Sequence, residues 1–226
     1  MKVMQSRPWL PYVAPFAIYA LFLAAQSAQN RVWVYPLATI VVGAALWVFR
    51  RYYEELRSPL WHRSASGSRP APGPGSTTAT WILAVAVGLV AIAIWIGIDP
   101  YYPKPENSTM FDPSGKWLFI ASRVAGAVII VPLMEELFWR AFLIRWFIDG
   151  DFKRVAVGAF TWSSFAMTVG LFGLEHREWL AGLICGALYN WLYYKRKDVF
   201  ACVIAHAVSN AALAVWVLAR GDWKLW

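Results

Sequence analysis

Residues 81–98 read "WILAVAVGLVAIAIWIGI". The stretch has no charge, no proline and no amide, and as a helix it is long enough to cross the hydrocarbon core of a bilayer. Lipid offers the backbone no hydrogen bonds, so a run of this kind must be helical to satisfy its own peptide groups. Two earlier runs repeat the pattern, "WLPYVAPFAIYALFLAA" (9–25) and "VWVYPLATIVVGAALWVF" (32–49). Four further apolar segments follow at about 117–147, 155–172, 179–194 and 199–219. The whole chain of 226 residues is 59% hydrophobic and only 15% charged, with a mean hydropathy of +0.46, too little charge for a soluble surface. The fold class is therefore all-α: a polytopic transmembrane helical bundle of about seven spans.

Tryptophans mark the ends of several runs (Trp9, Trp33, Trp81, Trp117 and Trp179), where an amphipathic ring prefers the interface. The net charge of +8 does not point to nucleic acid, because the basic residues sit between apolar runs. They concentrate in alternate loops: Arg50, Arg51, Arg57, Arg63 and Arg69; then Arg145, Lys153 and Arg154; then Lys195, Arg196 and Lys197. Those loops are expected in the cytoplasm, which places the N-terminus inside and the C-terminus outside. Lys2 and Arg7 precede the first run as in a signal peptide, but Pro11, Pro15 and the lack of a small-residue cleavage site favour a retained helix. "SASGSRPAPGPGSTT" (64–78) cannot build a core, so a flexible cytoplasmic loop is expected over about 57–79. Residues 1–116 are read as N-terminal spans and 117–226 as a second, functional core. Asn107–Thr109 matches a glycosylation acceptor, a short and common pattern. Cys185 and Cys202 lie in apolar runs and read as packing residues rather than a disulfide or metal pair.

Three polar islands interrupt the second half. In "VPLMEELFWR" (131–140), Glu136 and Arg140 are four apart and share a helix face, while Glu135 points about 100° away without that partner. Pro132 frees a carbonyl and can kink the helix. An ionisable side chain at membrane depth costs about 2.5–3.5 kcal/mol on insertion scales, so it usually faces a polar cavity. "FGLEH" (172–176) sets Phe172 one turn before His176, and "HAVSN" (206–210) sets His206 and Asn210 on one face. Taken singly these are a salt bridge, an interfacial histidine and an interhelical hydrogen bond. Taken together they form a hydrolytic set: a carboxylate beside a histidine can deprotonate water, and a histidine with an amide can stabilise an oxyanion.

"EELFWR", "FGLEH" and "HAVSN" resemble, in order, the Glu-Glu-x-x-x-Arg, Phe-x-x-x-His and His-x-x-x-Asn motifs of the CAAX-prenyl-protease and bacteriocin-processing (CPBP, Abi) family of intramembrane proteases. The likeness covers about residues 118–219. The length and extra N-terminal spans are also similar to the CAAX-protease-related proteins that accompany exosortase systems. The resemblance implies an intramembrane endopeptidase of the bacterial cytoplasmic (inner) membrane, acting on a membrane-associated protein or peptide. It implies that Glu135 activates water with help from His176, that His206 and Asn210 form the oxyanion site, and that Arg140 holds Glu136. Phe172 would pack near the scissile bond. No cofactor is expected, although zinc ligation by Glu135, His176 and His206 stays open.

Two other readings compete. One is a non-catalytic relative that binds a peptide or partner, as in immunity to a bacteriocin; the other is a small transporter relaying protons through its acids. The transporter reading suits acids spread over several spans, whereas here they lie on one helix. One geometric tension accompanies the hydrolase reading. Glu135 lies about 15 Å, and His206 about 13 Å, from the cytoplasmic end of its helix. A straight helix from Arg154 would carry His176 about 33 Å, to the opposite face. That segment must therefore tilt, start deeper or break, with Gly170 and Gly173 as break points, so that the turn around His176 dips into the bundle.

Overall fold

The computed structural model describes residues 6–27, 29–56, 78–105 and 112–225. It is a bundle of seven helices: α1 Leu10–Ala24, α2 Arg31–Phe49, α3 Thr78–Ile98, α4 Trp117–Ile148, α5 Trp162–Glu175, α6 Trp179–Arg196 and α7 Val199–Arg220. No strand occurs among the described residues. Of these helices α2, α3, α4 and α7 are long and apolar enough to cross a membrane, and the protein is a multi-pass membrane protein. Most of the expected loop over about 57–79 and the Asn107–Thr109 acceptor lie outside the described residues; Thr78 and Ala79 already belong to α3.

The helices alternate in direction and give the bundle two chemically different ends. One end gathers Arg50, Arg51, Arg145, Lys153 and the turn at 195–198. There Glu55, just past α2, is buried and receives Arg145 at 2.6 Å and Lys153 at 3.2 Å. The Tyr12 hydroxyl donates to Glu55 at 2.8 Å, and Lys153 donates to Tyr12. Burial acts to raise the Glu55 carboxyl, but Lys153 and Arg145 outweigh it, so the group sits below the ordinary carboxylate range. This knot ties α1 and α2 to the end of α4. At the opposite end, the segments 99–105 and 222–225 fold over the α5–α6 turn. Trp179 Nε1 donates to the Pro103 carbonyl at 3.0 Å, Arg177 Nε to the Pro105 carbonyl at 3.1 Å, and Lys224 reaches Asp99 at 3.4 Å.

The fifth helix departs from the sequence expectation. Residues 155–161 are not helical, and α5 begins only at Trp162. Thr161 is its N-cap, accepting the Ser164 amide at 3.2 Å. The helix then runs unbroken through Gly170 and Gly173, so the glycines are not break points. Its 14 residues rise only about 21 Å, which removes the tension over His176: of the three routes considered, the helix starts deeper. Gly173 serves close packing instead. A Cβ there would lie 2.6 Å from Leu183 of α6. The same holds where α3 crosses α7: a Cβ on Gly88 would strike the Ala205 carbonyl at 2.3 Å. Small residues that let backbones touch are how helices associate where lipid removes the hydrophobic drive.

Candidate active site

The fourth helix is irregular where its acids sit. Residues 126–130 and 137–143 are π-helical, flanking a short α segment, Val131–Glu136, with Pro132 near its start. A proline has no N–H to give, and the wider turns around it absorb the missing bond. Glu135, Glu136 and Arg140 are all buried here.

Glu136 is the hub of one network. Its Oε1 accepts Arg140 Nη1 at 3.0 Å and His206 Nδ1 at 2.9 Å, while its buried Oε2 has no hydrogen-bond partner. Arg140 goes on to donate to Asn190 Oδ1 at 3.1 Å and to the Gly186 carbonyl at 3.4 Å. Asn190 Nδ2 donates to Thr168 Oγ1 at 2.9 Å. Four helices, α4 to α7, thus meet at one guanidinium, whose plane also lies over the Phe172 ring, 4.8 Å from its centre. The expected Glu136–Arg140 pair is present; that Glu136 also holds His206 was not read from the sequence.

Glu135, like Glu136, has a buried Oε2 without a hydrogen-bond partner, but it borders open space. It lines a cavity of about 340 Å³ together with Phe172, His176, His206 and Asn210. The three polar islands therefore converge, and all four residues read as catalytic share one space. The turn at His176 does dip into the bundle, since it lies beneath the segments 99–105 and 222–225.

The two imidazoles are held in defined tautomers. His176 Nδ1 lies 2.7 Å from the Phe172 carbonyl, which can only accept, so Nδ1 carries the proton and Nε2 keeps its lone pair. His206 Nδ1 faces the Arg140-paired carboxylate of Glu136 and donates to it, which also leaves Nε2 toward the remaining space. Phe172 packs between them, its ring centre 4.7 Å from His176 and 6.3 Å from His206. Asn210 Nδ2 donates to the Ala127 carbonyl at 2.8 Å, inside the first π-helical stretch, and retains a second N–H.

Several lining residues were missed by the sequence reading. Tyr189 stacks on His206 at 5.3 Å between centres, and its hydroxyl lies 2.6 Å from Ser209 Oγ. Trp95 meets His176 edge-on at 5.3 Å. Tyr19, Tyr35 and Arg123 complete the wall on the α1, α2 and α4 side. Aromatic residues are too common in membrane spans to stand out. Asn190 carried a signal, as a lone amide in the apolar run "ALYNWLYY". Cys185 and Cys202 are free and buried, and Cys185 touches the cavity.

Comparison with known families bears on this arrangement. The model described as type II CAAX prenyl endopeptidase Rce1-like matches residues 116–212, which hold α4 to α6 and the first two-thirds of α7. This helical core is similar to that endopeptidase family. The match spans a little under half of the chain, leaving α1 to α3 outside it. No curated protein and no solved structure matches the chain.

Among the described residues no group of three or more His, Cys, Asp or Glu side chains is arranged to hold an ion. Glu135, His176 and His206 share the cavity without forming such a group, so the donor set as placed does not fit zinc.

Proposed function

We propose that the protein is a glutamate-dependent endopeptidase that hydrolyses a peptide bond in a membrane-associated protein or peptide, with the four cavity residues as its machinery. The observation that carries this reading is the contrast between the adjacent acids: Glu136 is tied through Oε1 to Arg140 and His206 and does not line the cavity, while Glu135 lines it and keeps a buried oxygen without a partner.

In this reading Glu135 takes a proton from a water molecule, and His176 Nε2 accepts the water's other hydrogen and orients it. The hydroxide attacks the peptide carbonyl carbon. The oxyanion receives hydrogen bonds from the free Asn210 N–H and from His206 Nε2–H, the His206 ring acting here as an imidazolium whose Nδ1–H is held by the Glu136 carboxylate. Collapse breaks the C–N bond, and Glu135 returns its proton to the leaving amine. The products are a carboxylic acid and an amine, with one water consumed and no redox change. Arg140 touches none of the reacting atoms. It positions Glu136, and through it His206. All steps use protein groups and water.

The experiment is a comparison in membranes. A candidate substrate trapped by crosslinking to Glu135→Gln is incubated with the wild type, Glu135→Gln and His206→Ala. Cleavage by the wild type and none by either variant, at equal protein levels, is the expected result. Cleavage retained by both variants rejects the mechanism.

A further inference from the structure

The cavity does not open toward the basic end of the bundle. Its wall contains Arg177, Glu178, Lys224 and Leu225, all from the turn and the C-terminal segment at the opposite end. Lys224 is half exposed there. None of the lining residues comes from 50–56, 149–161 or 195–198, the segments that carry the dense basic loops. That end is instead sealed by the Glu55 knot and an aromatic cluster in which Tyr12, Phe142 and Phe152 pack within 6.4 Å of one another.

The direction of the opening acquires meaning from the charge pattern. Lys and Arg in short loops mark the cytoplasmic side. The loops at 50–69, 145–154 and 195–197 hold most of the chain's basic residues, and their described parts, 50–56, 145–154 and 195–197, meet at the sealed end. The cavity's mouth is at the other end. Its cations are largely neutralised locally: Arg177 pairs with Glu178 at 2.8 Å, and Lys224 pairs with Asp99 and Asp222. The mouth therefore lacks the excess of uncompensated positive charge that distinguishes the cytoplasmic loops.

We propose that the catalytic cavity opens to the extracytoplasmic side of the membrane, so that the substrates are exported polypeptides, membrane-anchored and cut after translocation. The aromatic wall suits an apolar segment: Tyr19, Tyr35, Trp95, Phe172 and Tyr189 offer flat, adaptable surfaces. The proposal rests on the protease reading for its substrate, but its geometry can be tested without any cleavage.

The test is cysteine accessibility in the full-length protein, with Cys185 and Cys202 replaced by Ala and Glu135→Gln present, so that proteolysis plays no part. Single cysteines are introduced by Lys224→Cys and Asp222→Cys at the mouth, Leu213→Cys in the cavity wall, and Lys195→Cys at the basic end. Intact cells are treated with a membrane-impermeant sulfonated maleimide, and a melting curve confirms that each variant is folded. The expected pattern is labelling of the mouth and wall positions in intact cells, with Lys195→Cys labelled only after lysis. Labelling of Lys195→Cys alone in intact cells inverts the orientation and overturns the proposal. Labelled mouth positions with Leu213→Cys protected would show that the cavity is closed on that side, and would overturn it equally. Failure of the cleavage assay with this labelling pattern intact would instead reject the protease mechanism.

Discussion

Two buried carboxylate clusters stand at different depths in this bundle, and they are built on opposite principles. At the basic end, the Glu55 side chain is held by Arg145, Lys153 and Tyr12. In mid-bundle, Glu136 is held through one oxygen by Arg140 and His206 and lies off the cavity, but its neighbour Glu135 borders an open volume with an unpartnered oxygen. A buried charge by itself therefore says little about function, since ion pairs also serve as fasteners. The informative combination is a buried charge, a missing partner and room for a reactant.

The sharpest way to break this comparison is Glu135→Gln. Loss of a general base should reduce cleavage by about 10²- to 10⁴-fold, with little change in the melting temperature, since no partner is orphaned. A large fall in melting temperature, measured in detergent, would make Glu135 a fastener too. Next is Arg140→Met, which leaves Glu136 buried beside His206 alone and should cost about 3–5 kcal/mol. The double variant Glu136→Gln/Arg140→Met should recover part of that stability but not the activity, because His206 has lost its orienting carboxylate. Recovery of cleavage would detach Glu136 from His206. Glu136→Gln alone should also lower the melting temperature, and unchanged stability would count against the buried pair.

Glu55→Gln tests the other cluster. It should cost about 1–3 kcal/mol while the cleavage rate per folded molecule stays at the wild-type level. The pH dependence has a definite sign. The folded carboxyl lies below its ordinary value of 4.5, so its stabilisation is present above about that pH and is lost as the pH falls through the folded value. Melting curves of the wild type and Glu55→Gln should thus converge on acidification below pH 4.5. The smallest effect is expected from Thr168→Val, which removes the acceptor of Asn190, four hydrogen bonds away from His206, and should cost about 1–2 kcal/mol. A hundredfold loss of cleavage in that variant would extend the functional network to α5.

The sequence was most legible where a pattern is local. The long apolar runs gave the helices, and the four-residue spacings of Glu136 with Arg140 and of His206 with Asn210 gave shared faces that point into the bundle. It was least legible where contacts span the chain. Glu55 and Arg145 are 90 residues apart, and nothing near either one announces the other. The start of α5 was a different kind of failure. "VAVGAF" is apolar enough to continue a helix, yet Gly158 adopts a positive φ of 81° and a Cβ there would strike Lys197, so the chain turns instead. The cue for the true start was present in Thr161, a capping hydroxyl directly before the helix. The cavity's aromatic wall had no such cue, because tyrosine and tryptophan occur throughout these spans.

The short α5 has one more consequence. With only 14 residues, it acts as a depth gauge: its length, rather than any single contact, sets how far beneath the rim the His176 ring hangs. Adding one helical turn ahead of Phe172 would lift that ring by about 5.4 Å, away from the level of Glu135 and His206. In this protein the depth of an imidazole is written in a residue count.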